Sequence, residues 1–99
     1  MNIQSLMREA QKMQKNLQKT QEELIKTTYE GVSSLVSVTL NGNKDVISVK
    51  INSDESIDKE DIEMLEDMIV VAFQDASKKV DVDKEKKIGK YGQGLAGLM

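Results

Sequence analysis

The sequence predicts an α+β fold: a long N-terminal helix, a three-stranded antiparallel sheet and a long C-terminal helix. Three observations carry that expectation. Ile3, Ala10, Leu17 and Leu24 recur every seven residues, with Leu6, Met13 and Thr20 between them, which is a helical seam of coiled-coil type. Val36, Val38 and Leu40, then Ile47, Val49 and Ile51, alternate with polar residues on either side of Asn41-Gly42-Asn43, the pattern of a β-hairpin with one buried face. Ile62, Leu65, Ile69, Ala72, Phe73, Ala76 and Val80 then return to helical spacing.

The elements follow in order within one domain, residues 1–99. Glutamines, lysines and leucines favour helix over residues 1–26, and neither glycine nor proline intrudes there. Strands occupy residues 27–51, the first a short one from Thr27 to Glu30 that Gly31 ends. Asn52 to Ile57 is a polar connector, and Asp58 is a natural N-cap for a helix over residues 58–87. Acids at its start (Asp58, Glu60, Asp61) and lysines at its end (Lys84, Lys86, Lys87) complement the helix dipole. Gly89, Gly92, Gly94 and Gly97 mark residues 88–99 as a flexible tail.

Composition narrows the function. The chain has 99 residues, 38% apolar and only 3% aromatic, so bulky core material is scarce and burial of further surface in an oligomer is favoured. There is no cysteine and no histidine, which removes thiol nucleophiles, thiolate metal sites and the commonest general base. No catalytic residue, metal site or cofactor is expected. Glu63, Glu66 and Asp67 share a helix face and could support a carboxylate-dependent hydrolase, but a solvated acidic face explains them without chemistry. No signal-peptide core follows Met1, and Met68 to Phe73, the longest apolar run, is far too short for a bilayer. These features lead us to expect a cytoplasmic protein with no membrane partner and no small-molecule substrate.

Charge is the informative feature. Arg8, Lys12, Lys15, Lys19 and Lys26 fall within about 60° of one another on a helix, opposite the apolar seam. The net charge is −3, so this row does not reflect general basicity. Solvated faces usually mix signs, whereas no acid lies in the row from Arg8 to Lys19, and Glu9 sits about 100° away. The residues alone leave two readings, a solvated face and an anion-binding edge. For the second, Arg8, Lys12, Lys15 and Lys19 are the candidate contacts, with Lys86, Lys87 and Lys90 as secondary ones. Few aromatics are available for stacking on unpaired bases, so a nucleic-acid partner would be duplex, held by its phosphates with little reading of base edges. An acidic protein partner, with the chain as an interaction adaptor, is the alternative.

A second apolar row, Met64, Met68 and Val71, lies some 100–140° from the main face of the last helix. A surface helix needs one stripe. The extra row is covered either by a sheet that wraps far enough or by a second copy, and a symmetric homodimer is the simpler arrangement.

The segment from Asp61 to Ala76 resembles the "LEDL–apolar–A-x-NDA" helix of the YbaB/EbfC family of bacterial nucleoid-associated proteins, through Leu65, Glu66, Asp67, Ala72, Asp75 and Ala76. Met68 stands where that family usually has Leu, and Gln74 where it has Asn. Met7, Ala10, Gln11, Met13, Gln14, Leu17 and Gln21 match its first helix, and Val36, Val38, Asn41 and Gly42 its "V-x-V-x-x-N-G" strand. The chain departs from the pattern in having one glycine in Gly31-Val-Ser-Ser-Leu and no proline in the tail. The resemblance implies a tweezer-like homodimer whose paired helices grip double-stranded DNA. It also implies a place in the nucleoid, and roles in nucleoid organisation and transcription regulation.

Overall fold

The computed structural model describes residues 2–96, and side-chain environments for residues 2–89. Helix α1 spans Ile3–Lys26. Its N-cap is Asn2, whose side-chain oxygen accepts the Gln4 N–H at 3.1 Å, satisfying one of the unpaired donors of the first turn. Thr27 turns to extended backbone and ends the helix, its N–H and hydroxyl both donating to the Glu23 carbonyl. Strands β1 (Thr28–Ser33), β2 (Val36–Asn41) and β3 (Val46–Ile51) form an antiparallel meander in that order. A 3₁₀ turn, Lys59–Asp61, leads into helix α2, Ile62–Ala96. The expected α-β-β-β-α order holds. The Asp58 cap does too, its N–H donating to Asp61 Oδ2 at 3.1 Å.

Gly31 does not end the first strand. β1 continues through it to Ser33, with Gly31 paired to Val38. A Cβ at Gly31 would overlap the Ala72 carbonyl and the Ala76 backbone, and would lie 2.8 Å from Ala76 Cβ. The glycine is there because strand and helix touch backbone to backbone, across two alanines on the helix side. The reversal falls three residues later, where Ser34 takes a left-handed φ of 50°.

α2 lies across β1 and β2 and stops short of β3. Tyr29, Val36, Val38 and Leu40 are therefore buried under Leu65, Ala72, Ala76 and Val80, with Met68, Ile69 and Phe73 at the margin. Burial of each large side chain contributes roughly 1.5–3 kcal/mol. The expectation of a buried apolar face on the second hairpin strand is corrected. Val46, Ile47, Val49 and Ile51 are all exposed, because no helix covers that side. The alternation is also shifted: a bulge between Thr39 and Leu40 pairs Leu40 with Val46 and Thr39 with Ser48, leaving Ile47 as the extra residue.

The last helix runs to Ala96 rather than ending at Lys87. Gly89, Gly92 and Gly94 lie inside it, since an isolated glycine costs a helix about 1 kcal/mol without breaking it. Of the expected tail, residues 97–99 lie outside the described part. The principal extents are 71 × 22 × 14 Å and the radius of gyration is 19.7 Å, against about 13 Å for a compact domain of this length. Both helices outrun the small sheet.

Candidate nucleic-acid interface

Among the described residues α1 is anchored at its C-terminal end. Leu24 is buried, and the Gly42 N–H donates to its carbonyl at 3.0 Å. A Cβ at Gly42 would overlap that carbonyl, so the second hairpin seats the helix through a glycine. Gln21, Leu24 and Ile25 face Asp81, Lys84 and Ile88 of α2 across an open crevice of about 750 Å³. Every residue from Asn2 to Asn16 is exposed. The helix thus leaves the body as a prong, because among the described residues only its last turns meet a partner surface.

Arg8, Lys12, Lys15 and Lys19 lie along this prong and are all exposed. From Arg8 to Lys19 the row is about 17 Å long, close to five phosphate steps of one DNA strand. Among the described residues the ion pairs join Lys44 to Asp81 (2.9 Å), Lys79 to Asp75 (3.6 Å) and Lys87 to Asp83 (3.0 Å), and none draws on this row. The acids collect elsewhere. Residues 52–67 hold eight acids against Lys59 alone. Asp67, the last of them, lies about 21 Å along α2 from Asp81, where α1 joins. That exceeds the Debye length of ~8 Å at physiological salt, so the acids do not neutralise the prong.

The secondary candidates divide. Lys86 is exposed. Lys87 is engaged by Asp83, which also accepts the Tyr29 hydroxyl. That hydroxyl first, and then Lys87, hold the Asp83 carboxyl below its ordinary range. Burial, reinforced by Asp83, pushes the Tyr29 phenol up to about 12. The cluster fastens β1 to α2 and takes Lys87 out of the exposed cations. Lys90 lies in α2, its side chain outside the described residues.

Two further side chains of α2 act on the outer edge of β1, a role the sequence did not reveal. Asp75 Oδ2 accepts the Val32 N–H at 3.1 Å, and Lys79 Nζ donates to the Glu30 carbonyl at 2.6 Å. The Val32 N–H, followed by Lys79, lowers the Asp75 carboxyl. Only their spacing of four residues hinted at a pair.

The second apolar row is rearranged. Met64 and Val71 are exposed, whereas Met68 packs against the core of its own chain. The uncovered apolar surface centres on a groove of about 330 Å³ between β3 and α2, where Val46 and Val49 face Ile69, Val70 and Phe73. Val70 belongs to neither apolar row of the helix, so spacing alone gives no sign of its place here. Glu63, Glu66 and Asp67 are exposed, and no cluster of three potential metal ligands occurs among the described residues. Among those residues no helix is long and apolar enough to cross a membrane.

An α-β-β-β-α body that holds out one free cationic helix defines a class of small helix-presenting α+β modules. Comparison with known proteins makes the class specific: residues 1–95 match the YbaB/EbfC DNA-binding family, and the chain belongs to it. A nucleoid-associated protein of Xylella fastidiosa is 47% identical over 95 residues, covering 96% of this chain and 89% of that one. A nucleoid-associated protein of Lactococcus lactis subsp. cremoris is 44% identical over 97 residues, covering 96% and 97%. One from Ligilactobacillus salivarius is 38% identical over 99 residues, covering 99% and 95%. In fold the chain is similar to the crystal structure of the uncharacterized protein HP0035 from Helicobacter pylori, with a TM-score of 0.70 at 23% identity over 87% of this chain and 91% of that one.

Proposed function

We propose that the protein is a non-enzymatic, nucleoid-associated protein of the bacterial cytoplasm that binds double-stranded DNA as a homodimer, chiefly through phosphates. In binding it alters DNA conformation and so influences nucleoid organisation and gene expression. The observation that carries the reading is the free cationic prong, Arg8, Lys12, Lys15 and Lys19, on a chain whose net charge is −3. Family membership and the names of the relatives support it. Lysines meet phosphates as point charges and carry little sequence information, so affinity outweighs preference. Lys86 and Lys90 are secondary contacts. The groove between β3 and α2 is the dimer surface; the exposed Met64 and Val71 lie on the opposite flank of α2, toward the edge of β1, as a second candidate contact, with Met68 packed against the core between.

Four contacts per subunit make about eight per dimer, which gives a log–log salt slope near −7 and a loss of ~10⁴ in affinity between 50 and 200 mM salt. Gel shifts with unrelated duplexes at two salt concentrations measure this. The variant K12E/K15E abolishes binding while keeping its helicity and its dimer. A folded K12E/K15E of unchanged affinity removes the prong from the mechanism. An adaptor that binds an acidic protein would use the same row, and would leave unrelated duplexes unshifted even at low salt.

A further inference from the structure

The cationic row uses one side of the prong, and the apolar residues of the other side are exposed as well. Ile3, Leu6 and Met13 are 72%, 49% and 42% exposed, and Ala10 is exposed between them. Among the described residues the same seam is buried at its end, by Leu24 in the body, with Leu17 half-buried. In heptad terms Ile3, Ala10 and Leu17 take position a, and Leu6 and Met13 position d. Arg8, Lys12, Lys15 and Lys19 then fall at c and f, the positions farthest from a coiled-coil partner. A helix laid along this seam would leave every cation of the row facing outward. The flanks select the partner. Position g holds Glu9 and Asn16, and position e holds Met7 and Gln14. Paired in parallel with its own copy, the prong sets Glu9 against a neutral residue. Paired antiparallel about Ala10, it sets Glu9 against the Glu9 of the other copy, like charge on like. An acidic helix from a foreign protein would be drawn to the cationic row rather than to the seam.

We propose that the free stretch of this seam, Ile3 to Leu17, is a second self-association surface, which pairs in parallel with the same stretch of another dimer and couples neighbouring dimers on a duplex. The contact covers little more than two heptads. Its buried area falls well below the ~1,600 Å² of a standard stable interface, and helices this short are marginal alone. The pairing therefore forms where a shared duplex raises the effective concentration of prongs. That step rests on the DNA-binding reading.

The chain has no cysteine, so single cysteines report the contact cleanly. Ala10→Cys lies on the seam, and Gln11→Cys on the outward side of the same turn. With oxidised glutathione as electron acceptor, Ala10→Cys forms disulfide-linked chains at least tenfold faster than Gln11→Cys on a duplex long enough for several dimers. On a duplex that holds one dimer it does not. Equal rates for the two variants overturn the proposal. So does Ala10→Cys linkage that is as fast on the short duplex, which places the contact within one dimer. The variant L6Q/M13Q loses the steepness of the binding curve while its affinity at low occupancy changes less than threefold; an unchanged slope also overturns the pairing. Failure of the DNA-binding reading looks different, since no variant then shifts any duplex. In that event the ratio of Ala10→Cys to Gln11→Cys linkage at high protein concentration without duplex decides the pairing by itself.

Discussion

β1 and β3 are the two edge strands of one small sheet, and they are finished in opposite ways. On β1, Tyr29 and Gly31 are buried under α2, and the outward Val32 N–H and Glu30 carbonyl are bonded to Asp75 and Lys79. On β3, Val46, Ile47, Val49 and Ile51 stand exposed beside Val70. Open edges and large apolar patches invite further chains. The fold has closed one side by itself and has left the other uncovered.

The largest effect is expected where the closed side is tightest. Gly31→Ala forces apart two backbones, and overpacking without room to relax costs about 3 kcal/mol or more. In a domain of this size that is a large part of the stability, so thermal unfolding followed by circular dichroism should show a lowered or absent transition. A Tm unchanged in Gly31→Ala would mean that α2 does not bear on β1 as described.

Val70→Glu tests the open side. Val70 is 54% exposed, so a charge there changes the stability of a single chain by about 0.5 kcal/mol or less. In a dimer it buries an unpaired carboxylate. The expected outcome is a halved mass by light scattering at micromolar concentration, with helicity retained. A Val70→Glu protein that stays dimeric places the interface elsewhere.

Proton titration gives the smaller effects, all on the closed side. Asp75 and Asp83 have carboxyls lowered from the ordinary 3.8. In that window the unfolded chain binds more protons than the folded one, so stability rises with pH. It is present above the ordinary value and lost as pH falls through the depressed ones. Denaturant midpoints between pH 5 and 2 should drop less steeply for D75N/D83N, and parallel curves would count against both bonds. Tyr29 acts at the other extreme. Its phenol is raised from 10.0 to about 12, so between those values the folded chain keeps a proton the unfolded chain has lost. Stability falls as pH rises through that window. Tyr29→Phe should remove this part of the alkaline decline, read by the same midpoints.

Much of this division was written in the chain, though not all of it as a pattern. The seam of α1 and the turn at Asn41 fix helix and hairpin because their periods are local properties. The cationic row was legible for the same reason. Whether an apolar face is covered is not local. Ile47, Val49 and Ile51 spell a buried strand, but only the path of α2 determines that nothing lies over them, and the bulge moves Ile47 out of step. Gly31 has the composition signal of a stop and the structural role of a close approach, a difference set by Ala72 and Ala76 more than forty residues away. Met68 sits between the two apolar rows, so spacing could not assign it to core or interface. The pairing of Lys87 with Asp83 was available in their four-residue separation, and it weakens that lysine as a phosphate contact.

The slender outline has a practical corollary. A body 71 Å long and 14 Å thick meets more hydrodynamic drag than a sphere of equal mass. One subunit will therefore leave a sizing column early, in the volume expected of a heavier globule. Elution alone would thus report two copies where there is one.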